Sequence, residues 1–152
     1  MFNAPPLVSE VQLSRDFRFM YENFTLVTQD ETFLLMERDG DEMHALKFDS
    51  PNIKYGAPND EARNGHPLAK YGLGLYGLFE VENSSWVTEA MTANRVHPSH
   101  SDKLFVGQRH FVACFKDVML EVRCRNMEEV TMTSTQIFDL LASQIRDLNE
   151  QE

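Results

Sequence analysis

The chain has 152 residues, 42% of them hydrophobic, with 24 acidic residues against 14 basic ones and a formal net charge of -10 at pH 7. That is the length of one ordinary domain, 1–152, able to bury a core without metal or disulfide support. Its acidic field repels a phosphate backbone, so nucleic acid is excluded as the expected partner. Cys114 and Cys124 are the only cysteines and form no disulfide framework. The start, Met1 to Pro6, has neither the basic nor the apolar region of a secretory signal, and the longest uncharged run, Tyr71 to Phe79, is too short to span a bilayer. A soluble, cytoplasmic protein with no membrane partner is expected.

Residues 1–16 carry a Pro pair and no clear period, and read as an arm laid on the domain. From Phe17 the pattern alternates through Phe19 and Tyr21, as in a half-buried strand, and Phe24 to Val27 reads as the next. Thr32 to Glu37 and Glu42 to Phe48 flank Arg38-Asp39-Gly40-Asp41, the strongest hairpin signal in the chain. A three-residue loop is preferred there, because it sets Leu34 against Leu46 and Arg38 against Glu42 and avoids pairing Glu37 with Glu42.

Residues 55–68, from Tyr55 to Leu68, pack two Gly, two Pro, Asn59-Asp60-Glu61 and His66 into one loop whose path local chemistry specifies heavily. Leu73 to Glu82 reads as a strand with a bulge or close approach at its glycines. Ser84 and Ser85 are N-cap candidates for a short helix over 84–94 that carries Trp86, and Leu104 to Val106 could open a strand. His110 to Phe115 folds back on Val118 to Arg125. That register puts Phe111, Ala113, Phe115, Val118, Leu120, Val122 and Cys124 on the core side, and His110, Cys114, Met119, Glu121 and Arg123 on the other. Thr133 and Gln136 match a capping box for a closing helix over 134–149, whose apolar stripe is Ile137, Leu141, Ile145 and Leu148 with Phe138 and Leu140 beside it. The predicted fold is α+β: an antiparallel, meander-like sheet of about six strands, curling toward a barrel, with one face under the closing helix.

Gly56 to Leu68, Phe79 to Val87, Asn94 to Pro98, and His110 to Asp117 with Glu121 resemble a group of uncharacterised small bacterial proteins. The resemblance spans roughly residues 55–125 and implies no activity, cofactor or substrate.

The candidate catalytic groups are His66, His110, Asp60, Glu80 and Glu121, and the candidate ligand-binding groups are Asn59, Asp60, Glu61, His66 and His97. Imidazoles and carboxylates brought into one pocket perform acid-base chemistry near neutral pH. His97 and His100 sit in a Pro-containing loop, and neither His-Glu-x-x-His nor paired Cys-x-x-Cys occurs, so no metal is assigned and no cofactor is named. Each candidate has a plainer structural use: Asn59 or Asp60 caps a short turn ended by Gly65, His66 locks the loop, Ser84 and Ser85 cap the helix, and Trp86 anchors it. Two functions follow. One is a non-enzymatic module that binds a protein partner or a small polar ligand, or associates with a second copy of itself. The alternative is a small His/carboxylate enzyme, with or without a divalent metal, acting on a small polar substrate. Convergence of a histidine and a carboxylate in a concave site discriminates between them.

Overall fold

A computed structural model describes residues 4–49 and 51–148. Among them are nine strands, two α-helices and three short 3-10 turns. The strands are β1 (Leu7–Glu10), β2 (Thr25–Thr28), β3 (Glu31–Asp39), β4 (Glu42–Asp49), β5 (Asn52–Gly56), β6 (Gly77–Glu82), β7 (Arg109–Cys114), β8 (Met119–Cys124) and β9 (Met127–Thr133). The helices are α1 (Ser85–Asn94) and α2 (Ser134–Asp147).

The α+β class and antiparallel pairing hold, but the single curled sheet of about six strands does not. There are two sheets, one ordered β1-β6-β7-β8-β5 and the other β2-β3-β4-β9, and neither closes into a barrel. Their inner faces share one core, in which Leu34, Leu46 and Phe48 of the four-stranded sheet meet Leu78, Phe111, Leu120 and Val122 of the five-stranded one. Phe48 and Phe111 meet across the layers with ring centroids 5.8 Å apart. This packing explains why β3 and β7 read as continuous apolar runs: both faces of each are covered, so strict alternation has no reason to appear.

The outer face of the four-stranded sheet is covered by α2, whose Ile137 joins Val27, Phe33, Leu35 and Ala45. The Thr133–Gln136 capping box forms as expected. The stripe beyond it is only partly used, because Phe138, Ile145 and Leu148 remain 63–73% exposed. Residue 149, the expected end of this helix, lies outside the described residues.

Phe17 and Phe19 are buried but unpaired, so that stretch is irregular chain and not a strand. The 1–16 arm supplies an edge strand, with Val8 opposite Val81. Leu34 faces Leu46 as preferred, but by another route. The turn pairs Asp39 with Glu42 and Arg38 with Met43, and a bulge between Leu35 and Glu37 restores the register. The predicted 73–82 strand begins only at Gly77, and Leu104 to Val106, expected to open a strand, runs instead from the end of the Asp102–Leu104 3-10 turn into a further turn.

Candidate functional site

The β7–β8 hairpin has the expected register, with Ala113 opposite Leu120 and Val112 opposite Glu121. Glu121 and His110 therefore leave the outer face of the five-stranded sheet, where α1 and the 56–72 loop lie. Asn59 accepts from the Ala62 N–H at 3.1 Å and starts a 3-10 turn over Asp60–Gly65. That turn delivers His66 to the sheet. Ser84, the residue after Asn83 in its left-handed conformation (φ 56°), caps α1 by accepting from the Val87 N–H at 3.3 Å.

These elements converge on one carboxylate. His66 Nε2 lies 3.2 Å from Glu121 Oε2, and His110 Nε2 lies 2.8 Å from Glu121 Oε1. The Glu121 side chain is only 15% exposed, and those of His66 and His110 are 12% and 4% exposed. Burial by itself pushes the Glu121 carboxyl up. The hydrogen bonds from His110 and His66, with the positive charge of either ring when it is protonated, outweigh it and hold the pKa at about 2.

An ionised carboxylate only accepts, so both imidazoles present an N–H at Nε2. For His66 a second contact fixes the same tautomer, because Nδ1 accepts from the Leu68 N–H at 3.0 Å. In neutral His110, Nδ1 is then a lone pair, and the Ser84 hydroxyl 2.8 Å away must donate to it. The chain of donation runs Ser84 to His110 to Glu121, with His66 donating from the other side. The indole of Trp86 closes over it edge-on, its ring centroid 5.1 Å from that of His110. Lys54 Nζ lies 4.3 Å and Arg123 Cζ 5.3 Å from the Trp86 ring centroid.

The other sequence candidates stand apart. Asp60 accepts from the Tyr76 hydroxyl, a bond that holds its carboxyl below the usual range. Glu80 pairs bidentately with Arg109 at 2.7 and 2.8 Å. Glu61 is exposed, and exposed His97 accepts from the Ser99 N–H at 3.0 Å. His100 contacts Asn94 and Asp102 instead. Of the candidates, His66, His110 and Glu121 come together, while Asn59, Asp60, Glu61, Glu80 and His97 do not join them. Among the described residues, no group of three or more His, Cys, Asp or Glu is placed to hold a metal ion.

Sequence reasoning missed two residues. Ser84 reads as a cap, which it is, but its contact with His110 spans 26 positions. Arg63 is 1% exposed, and its guanidinium donates to the carbonyls of Leu75, Pro58 and Phe115, tying the loop to the β7–β8 turn. No local pattern distinguishes an arginine that turns inward from one that faces water.

Beside Ser84 opens a groove of about 1160 Å3, walled by Pro5 and Pro6 of the arm, the end of β6, α1 and the start of β7. Ser85, Thr88, Thr92 and Arg95 line one side, and Glu80 and Arg109 the other. No family profile, curated protein or solved structure matches this chain.

Proposed function

We propose that the protein is a binding module for a small polar ligand, held in the groove between the N-terminal arm, β6 and α1. The observation that carries this reading is the buried Ser84–His110–Glu121–His66 chain. It fastens α1 and the 56–72 loop to the five-stranded sheet, so one wall of the groove is held rigid without a ligand. Preorganisation of this kind lowers the ordering cost of binding. The lining mixes hydroxyls, Glu80, Glu82 and Glu89 with Arg95 and Arg109, which suits a ligand presenting both donors and acceptors.

A thermal-shift screen against a polar metabolite library tests it. A ligand at about 100 times its Kd adds roughly 2.7 kcal/mol and raises the melting temperature by several degrees. Thr92→Trp, which fills the groove from an exposed helix position, abolishes that rise while leaving the basal melting temperature in place. A rise that survives Thr92→Trp puts the ligand elsewhere, and no rise with any compound removes the reading.

One observation favours the enzyme as a second reading. A histidine and a carboxylate do meet within hydrogen-bond reach, and Ser84, at the head of their chain, lines the groove.

A further inference from the structure

We propose that Ser84 is an activated nucleophile that accepts an acyl group from a small carboxylic ester bound in this groove. The inference rests on the enzyme reading and gives it a reacting atom. Three features of the geometry carry it.

First, the hydroxyl proton has one destination. Glu121 takes the Nε2 proton of His110, leaving Nδ1 as the acceptor for Ser84 at 2.8 Å, which is general-base geometry for a weak nucleophile. The order hydroxyl, imidazole, carboxylate is that of a hydrolytic triad, with the two ring nitrogens exchanged. Second, Ser84 sits at a strand-to-helix turn, after Asn83 at φ 56° and before α1, and it is a lining residue of the groove with only 8% of its surface exposed. Third, the backbone N–H groups of Ser85 and Trp86 are first-turn amides that a helix leaves without intrahelical partners. They are donors beside Ser84 for an oxyanion. The cap bond from Val87 takes one lone pair of Ser84 Oγ and leaves the other for attack.

The reaction balances without a cofactor. As the Ser84 Oγ–carbon bond forms at the ester carbonyl, the hydroxyl proton passes to His110 Nδ1. The ester C–O bond then breaks, and the leaving alkoxide takes that proton. Water attacks the acyl-serine and gives a proton to His110 Nδ1; the acyl carbon–Oγ bond then breaks, that proton returns to Ser84 Oγ, and the carboxylic acid leaves. Glu121 stays ionised throughout, and with His66 it acts as the positioning pair for His110.

The test is labelling of the folded full chain with an alkyl fluorophosphonate, which forms an O–P bond at an activated serine with loss of fluoride, read by intact mass and peptide mapping. The expected result is one adduct, on Ser84, with a stoichiometric burst of p-nitrophenolate from p-nitrophenyl acetate. Ser84→Gly keeps a residue suited to the N-cap and loses both signals, and His110→Gln slows labelling by at least about 100-fold. Because mapping is done on the wild type, the answer does not depend on any variant folding. No adduct on folded protein, an adduct only on Ser85 or Tyr71, or equal labelling of folded His110→Gln overturns the proposal. Reversible, Thr92→Trp-sensitive binding of a small ligand without any adduct sinks the nucleophile and leaves the binding groove standing. Neither binding nor adduct sinks both.

Discussion

Glu121→Gln tests the buried network, because it changes one oxygen to nitrogen and almost no volume. In the wild type both carboxylate oxygens accept an imidazole N–H, at 2.8 and 3.2 Å. The amide keeps one acceptor and sets its NH2 against the other N–H, leaving two donors facing each other in a buried site. The gap between an ordinary carboxyl near 4.5 and one at about 2 corresponds to roughly 3 kcal/mol. Two charge-assisted hydrogen bonds, at about 1.5–3 kcal/mol each before the desolvation that opposes them, give the same order. Since the folded-state pKa is depressed, this stability is fully present above about 4.5 and is lost as pH falls toward 2. Urea unfolding at pH 7 is expected to show the variant roughly 3 kcal/mol less stable. The difference between the two proteins then closes between about pH 4.5 and pH 2. Subtracting the variant removes the titration of other carboxyls, Asp60 and Asp102 among them. A variant within about 0.5 kcal/mol of wild type at pH 7, or a difference that does not change in acid, refutes the network as a stabilising element.

Arg63→Ala strips a buried guanidinium from several carbonyls and is expected to cost about 3–5 kcal/mol, read by chemical denaturation, with protease cutting within 56–76 as the companion signal. Gly72→Ala places a Cβ 2.9 Å from the Val8 carbonyl oxygen at φ +111°, so a loss above about 1 kcal/mol and a loosened β1 are expected in amide exchange. Cys114 and Cys124 are buried, and burial pushes both thiols up to about 12, so iodoacetamide should leave both unmodified at pH 8 until the protein unfolds. Thr133→Ala removes half of the capping box and should cost about 1 kcal/mol in thermal unfolding.

The elements legible from sequence were those whose residues answer to a buried face. The β3–β4 hairpin, β7 and β8 declare themselves because packing dictates nearly every side chain, and α1 and α2 because their caps are local chemistry. The strands that went unread, β1, β5 and β9, are all edge strands. An edge strand has solvent along one side, and β9 carries Glu128 and Glu129 while β5 is short and holds Asn52 and Lys54, so no strict alternation survives. Missing three edges is what turned two sheets into one. At the site, the hairpin register alone put His110 and Glu121 on one face. The arrival of His66 and Ser84 depended on where a 3-10 turn and a helix start land on that face. Those are tertiary facts without a sequence period, as is the inward turn of Arg63.

The most direct test of the central claim is amide chemical-shift mapping of the 15N-labelled protein against polar metabolite fragments. Fragment binding is expected to move resonances of Tyr71, Glu82 to Thr92 and Arg109, around the groove, while those of α2 stay fixed. Shifts confined to α2, to the four-stranded sheet or to the 96–106 loop would contradict a polar ligand site beside Ser84.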